Sequence, residues 1–186
     1  MGPVVDAFDR LGVAWYVGGS VASSAFGQFR ATNDVDIVAD LKPEHAGPLV
    51  TTLGEAYYAD LEAIRSAIRQ RASFNAVHYG TMLKIDVFVL RSRSYDLEAL
   101  RRRVSRPMST TPGSRCLNLA SPEDVVLSKL DWYRRGGGAS DRQWGDVQGV
   151  LRVQSEAMDV AYLRHWSAEL GLLELLERAL AEAGLG

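Results

Sequence analysis

The chain has 186 residues, 47% of them apolar and 24% charged, with a formal net charge of −2. That balance supports a buried core and excludes a disordered tail, while the near-neutral charge excludes a whole-surface grip on nucleic acid, so a polyanionic partner has to be held locally. A single cysteine, Cys116, excludes an intrachain disulfide and a cysteine-rich zinc site. No stretch offers the about 20 apolar residues of a membrane helix, and the opening MGPVVDAFDR does not read as a signal peptide, so the expected location is the cytoplasm with no membrane partner.

In chain order, Val4 to Leu11 suit a short helix, and Ala14 to Val17 a strand ending at Gly18-Gly19-Ser20. Val21 to Phe29 suit a helix, Val35 to Val38 a second strand, and Pro43 opens a further helix. Leu61 to Arg71 read as a helix. Phe74 to His78 and Leu83 to Leu90 read as strands paired through a Tyr79-Gly80-Thr81 turn. Asp96 to Arg103 is a basic helix, and the Pro-, Ser- and Thr-rich Ser105 to Arg115 marks a connector. Beyond it, Ser121-Pro122-Glu123-Asp124 caps a helix that runs to Gly136-Gly137-Gly138, and Ser140 with Gln143 repeats the capping spacing. Asp159 caps a third helix, and Leu172 to Ala183 forms a fourth. The expected organisation is a mixed α/β head over 1–95, a connector over 96–120 and a helical C-terminal part over 121–186.

The chemistry concentrates in Tyr16-Val17-Gly18-Gly19-Ser20 and Asn33-Asp34-Val35-Asp36-Ile37-Val38. Glycines between a strand and a helix let backbone approach a ligand, and the following helix N-terminus offers free N–H groups to phosphate, with the Ser20 hydroxyl as a further donor. Asp34 and Asp36 stand two apart on a strand and share a face, with Val35 and Ile37 turned to the core. Carboxylates that close call for a divalent cation, and oxygen-only donors favour magnesium or manganese. Asp86 interrupts the apolar strand Leu83-Lys84-Ile85-Asp86-Val87-Phe88-Val89; if that strand lies beside the first, three acids converge on a site suited to two magnesium ions, with Asp86 able to polarise an attacking hydroxyl.

On these residues the chain resembles the nucleotidyltransferase superfamily that includes DNA polymerase beta, whose motif is Gly-Gly/Ser after a strand, then Asp-x-Asp, then a third Asp; the likeness covers roughly Ala14 to Leu90. It implies a mixed sheet flanked by helices, Asp34 and Asp36 as metal ligands, Gly18, Gly19 and Ser20 at a triphosphate, and Asp86 as third ligand or general base. Lys129 and Asp146 in the helical half look like the later motifs of bacterial minimal and abortive-infection-toxin-like nucleotidyltransferases, which implies a lysine at the triphosphate and an aspartate orienting the lysine or the acceptor. Gln143 stands one turn before Asp146, where that pattern has an acid. The implied reaction moves a nucleoside monophosphate from a magnesium-bound NTP such as ATP to an acceptor hydroxyl on RNA, protein or a small molecule, releasing pyrophosphate. The alternatives are a non-catalytic nucleotide-binding or toxin–antitoxin partner module, with a protein partner, and a magnesium-dependent phosphohydrolase.

Each assignment has a plainer rival. Asp34 and Asp36 also read as strand-end acids, one paired with Lys84, and Lys129 as a lysine snorkelling from a core edge. Arg30 and Thr32, just before the acids, are able to reach the triphosphate, but an arginine at a helix end is equally expected for dipole reasons, and Asp146 also reads as an exposed helix residue. The arginines at 101–103, with Arg91, Arg93 and Arg106, read as a solvated face rather than an RNA grip. Trp132, Trp144 and Trp166 read as packing rather than base stacking, and Cys116 as a buried strand residue.

Overall fold

A computed structural model describes residues 1–108, 111 and 114–186 of the chain. Pro3 sits in the first turn of α1 (Gly2–Arg10), where its missing N–H costs no helix bond, and Val4, Val5, Ala7 and Phe8 form the buried stripe. There follow β1 (Trp15–Val17), α2 (Gly19–Phe26), β2 (Asp34–Ala39), a 3-10 turn at Pro43–His45, α3 (Ala46–Leu53), β3 (Tyr57–Tyr58) and α4 (Leu61–Gln70). Next come β4 (Ser73–His78), β5 (Leu83–Val89), α5 (Ser94–Arg101), β6 (Val104–Pro107) and β7 (Cys116–Leu119). The chain closes with α6 (Pro122–Arg135), α7 (Asp141–Val153), α8 (Val160–Glu169) and α9 (Leu173–Ala183). None of the described helices is long and apolar enough to cross a membrane.

Two units make up the chain: Met1–Gly18 with Thr32–Leu119, and Gly19–Ala31 with Ala120–Gly186. The first holds a mixed seven-stranded sheet in the order β3-β4-β5-β2-β1-β7-β6. At its centre β2 runs parallel to β5 and antiparallel to β1, and β1 runs parallel to β7. The β4–β5 hairpin pairs His78 with Leu83, and its turn places Met82 at φ 54. Alternation along the central strands is strict: Val35, Ile37 and Ala39 of β2 and Ile85, Val87 and Val89 of β5 are buried. The mixed sheet with flanking helices agrees with the fold class expected from sequence.

The second unit is all helical. Ser121 accepts a bond from the Asp124 N–H, Ser140 from that of Gln143 and Asp159 from that of Tyr162, so the three predicted caps form. Phe26, Leu127, Leu130, Val147, Val150, Leu151, Leu163 and Leu176 are buried in it. Gly27 allows α2 to approach α7 at backbone distance: a Cβ there would lie 2.9 Å from Val150 N and 3.0 Å from Gly149 C.

Four expectations are corrected. The second helix begins at Gly19 and stops at Phe26, because Gly27 turns the chain; Phe29 is 87% exposed. Where a connector was expected over 96–120, the helix expected from Asp96 forms as α5, but the stretch beyond it holds β6 and β7, since Val104, Leu117 and Leu119 alternate well enough to add a hairpin to the sheet; Ser109, Thr110, Pro112 and Gly113 of that stretch lie outside the described residues. Cys116 is in a strand but exposed, at the end paired with Pro107. Trp132 is 50% exposed, with the Arg135 guanidinium 5.9 Å from its ring, and is not core.

Candidate functional site

In the first unit, β2 and β5 align Asp34 with Lys84, Val35 with Ile85 and Asp36 with Asp86. Paired residues of adjacent strands share a face, so Asp34, Asp36, Lys84 and Asp86 form one charged face, the strands about 4.8 Å apart, and the apolar residues between them fill the other. Lys84 is the counter-charge: its Nζ lies 3.0 Å from Asp86 Oδ1. The hydrogen bond to Asp86, then the charges of Asp86, Asp34 and Asp36, raise the Lys84 pKa above its ordinary value. Lys84 therefore pairs with Asp86 rather than with either acid of β2. The Thr32 hydroxyl is engaged locally, donating to the Asp34 carbonyl at 3.1 Å and accepting from the Asp34 N–H at 3.3 Å.

Hard carboxylate oxygens on one face, already drawing an ammonium group, have the donor chemistry that suits magnesium or manganese. Among the described residues, no three His, Cys, Asp or Glu side chains are gathered into a formed ligand set.

The two glycines have different reasons. The Gly18 N–H donates to the Asp36 carbonyl at 2.9 Å, continuing the β1–β2 ladder, and a Cβ at Gly18 would meet nothing closer than 3.9 Å. Gly19 opens α2 at φ 53, in the left-handed region, where a side chain is strained.

In the second unit, residues distant in sequence come together. Lys129 of α6 and Asp146 of α7 form an ion pair at 2.7 Å, with side-chain exposures of 5% and 9%. Arg30 places its Nη2 3.4 Å from Asp146 Oδ2 and 2.6 Å from the Ser20 hydroxyl, and its Nε is buried without a partner. Lys129 does not snorkel to solvent, and Asp146 is not an exposed helix residue. Ser20, Arg30, Lys129 and Asp146, each singled out in the sequence, are thus one cluster, and Asp34, Asp36 and Asp86 are one face.

Arg142 was missed. Its Nη2 lies 3.5 Å from the same Ser20 hydroxyl. A signal was present: a cation at the second residue of α7, where the helix dipole disfavours positive charge. The neighbouring Gln143 has a buried side-chain oxygen without a partner.

No protein-family model and no curated protein matches the chain. In fold it is similar to the solution structure of the antibiotic-resistance factor ANT(2'')-Ia, at a TM-score of 0.56 and 15% identity over 95% of this chain and 94% of that one. A similar likeness holds to an antigenic nucleotidyltransferase-like protein from Paracoccidioides brasiliensis (TM-score 0.55, 20% identity, 97% of this chain and 88% of that one). ANT(2'')-Ia in complex with adenylyl-2''-tobramycin gives a TM-score of 0.55 at 15% identity over 90% of this chain and 94% of that one. The chain has the nucleotidyltransferase-like fold.

Proposed function

We propose that this chain is a magnesium-dependent nucleotidyltransferase that moves a nucleoside monophosphate from an NTP to an acceptor hydroxyl. The observation that carries it is the alignment of Asp36 with Asp86, with Asp34 on the same face of β2. Asp34, Asp36 and Asp86 would hold magnesium, which supplies charge neutralisation at the phosphates. Asp86 accepts the proton of the acceptor hydroxyl as the acceptor oxygen bonds to the α-phosphorus and the bond to the β-phosphate oxygen breaks, so pyrophosphate leaves. Lys129 and Arg30 bind triphosphate oxygens with the Ser20 hydroxyl and the first turn of α2, and Asp146 orients Lys129. Such catalysis is mainly positioning and electrostatic stabilisation.

A small-molecule hydroxyl is the acceptor class to test first. Support comes from a fold neighbour of nearly the same length, ANT(2'')-Ia, whose structure is a complex with adenylyl-2''-tobramycin. The test is transfer of label from α-phosphate-labelled NTPs with magnesium across a panel of hydroxylated small molecules, RNA and proteins, using wild type and Asp34→Asn/Asp36→Asn. Labelled acceptor with stoichiometric pyrophosphate, lost in the double variant, is the expected result. Nucleotide bound without turnover identifies the binding-module alternative, released monophosphate or phosphate without acceptor identifies a hydrolase, and a double variant as active as wild type rejects the acid site.

A further inference from the structure

The second unit carries more positive charge around Ser20 than its own acids balance. Asp146, the one carboxylate in hydrogen-bond contact with this group, is held by Lys129 at 2.7 Å and by Arg30 at 3.4 Å. Arg30 and Arg142 then both donate to the single Ser20 hydroxyl, at 2.6 and 3.5 Å, although Ser20 is only 9% exposed. Two guanidinium groups on one neutral oxygen repel each other. Among the described residues Arg142 makes no ion pair, whereas Arg134, Arg164 and Arg178 of this unit each have a carboxylate.

Local rules do not account for Arg142. It is the second residue of α7, after the Ser140 cap and Asp141, where the unpaired N–H groups already carry partial positive charge. Ser20 lies in the first turn of α2, so a second helix N-terminus adds to the same potential. Three cations and two helix N-termini face one contacting carboxylate, Asp146, and even with Asp141 in the first turn of α7 positive charge exceeds negative. The partnerless buried Arg30 Nε is an unmet donor in that cluster. An arrangement that violates local preference without internal compensation is expected where a ligand supplies the missing charge. The complementary ligand is a multiply charged anion with several acceptor oxygens, and the planar forks of two arginines suit phosphate oxygens.

We infer that Arg142 is a further phosphate-binding residue, joining Arg30 and Lys129 as groups of the second unit that contact an oligophosphate directly rather than through a metal ion. This rests on the nucleotidyltransferase reading for its biological ligand, the triphosphate before transfer or the pyrophosphate after it; the chemistry common to both is a chain of phosphates.

The experiment is calorimetric titration of inorganic tripolyphosphate, and separately of ATP, into the full chain in EDTA. The proteins are wild type, Arg142→Ala, Arg142→Lys and Arg65→Ala, the last removing a paired arginine of the first unit. Wild type is expected to bind both. Arg142→Ala should weaken both by the same factor of about 10, the size of one charge-assisted hydrogen-bonded contact at an exposed position. Arg142→Lys should recover part of that loss, and Arg65→Ala should change affinity less than about twofold. Equal affinity of Arg142→Ala and wild type overturns the inference, as does equal weakening by Arg65→Ala, which marks a net-charge effect. Loss for ATP alone overturns the phosphate assignment. If tripolyphosphate does not bind wild type in EDTA the inference falls, while the magnesium-dependent transfer assay still judges the nucleotidyltransferase reading by itself.

Discussion

The acid face of the first unit and the cation cluster of the second are built by different means. Asp34, Asp36 and Asp86 owe their common face to strand alternation and one parallel register, and they stay open to solvent in part, Asp34 the most. Lys129 and Asp146 are nearly closed off, and they meet Arg30 and Ser20 only because α2, α6 and α7 pack together. Mutual repulsion on the acid face stores a demand for positive charge, which Lys84 meets in part. Burial in the cation cluster makes each partner structurally necessary to the other. Acids on the face should therefore be removable at little cost in stability, and members of the cluster should not.

The largest contrast comes from Asp146→Ala, which leaves a buried ammonium facing Arg30 without a carboxylate; unfolding in urea should show a loss of about 3–5 kcal/mol. The double variant Lys129→Met/Asp146→Leu should recover most of it, and failure to recover would mean that the cost comes from elsewhere in α7. Asp36→Asn should do the reverse: transfer activity falls about 100- to 1,000-fold, while stability measured in urea stays within about 1 kcal/mol of wild type because one of the like charges on that face is removed. Comparable loss of stability in both variants would erase the distinction between the two regions. Gly27→Ala sets a Cβ 2.9 Å from Val150 N and should cost about 1–3 kcal/mol by forcing α2 from α7. Ser20 and Arg30 would shift with α2, so tripolyphosphate affinity should fall alongside stability.

The smallest effect concerns pH. The Glu182 carboxyl is held below its ordinary value of 4.5, chiefly by the Trp144 indole N–H at 2.7 Å and then by Arg178. A lowered folded-state pKa gives a stabilisation that is complete above 4.5 and is lost as pH falls through the lowered value. Trp144 fluorescence should therefore change in a step below about pH 4.5, and Glu182→Gln should abolish that step. A step that survives the substitution would assign it to another carboxylate.

Legibility in the sequence followed the range of the forces involved. The caps at Ser121, Ser140 and Asp159 were readable because a cap closes within three residues. The buried set of β2 and β5 was readable because strand period is local. The hairpin of β6 and β7 was masked by Pro, Ser and Thr between its strands, and the exposure of Cys116 depended on its place in the sheet. The acids were legible as a face, but their partner was not: Lys84 reached Asp86 on its own strand rather than an acid of β2.

By itself, then, the sequence determined most of the elements, the caps of three helices, the inward and outward sides of the central strands, and most of the residues with chemistry to offer. Each follows from backbone geometry repeating over two to four residues. Tertiary structure alone decided that Lys129 is paired and buried rather than snorkelling, that Arg30 lies on nearby Ser20 and on Asp146 116 residues further along the chain, and that Arg142 joins them without a counter-ion. Those outcomes depend on how closely helices approach, which side-chain volume and the Cβ-free surface of Gly27 set jointly, and no local period encodes that distance.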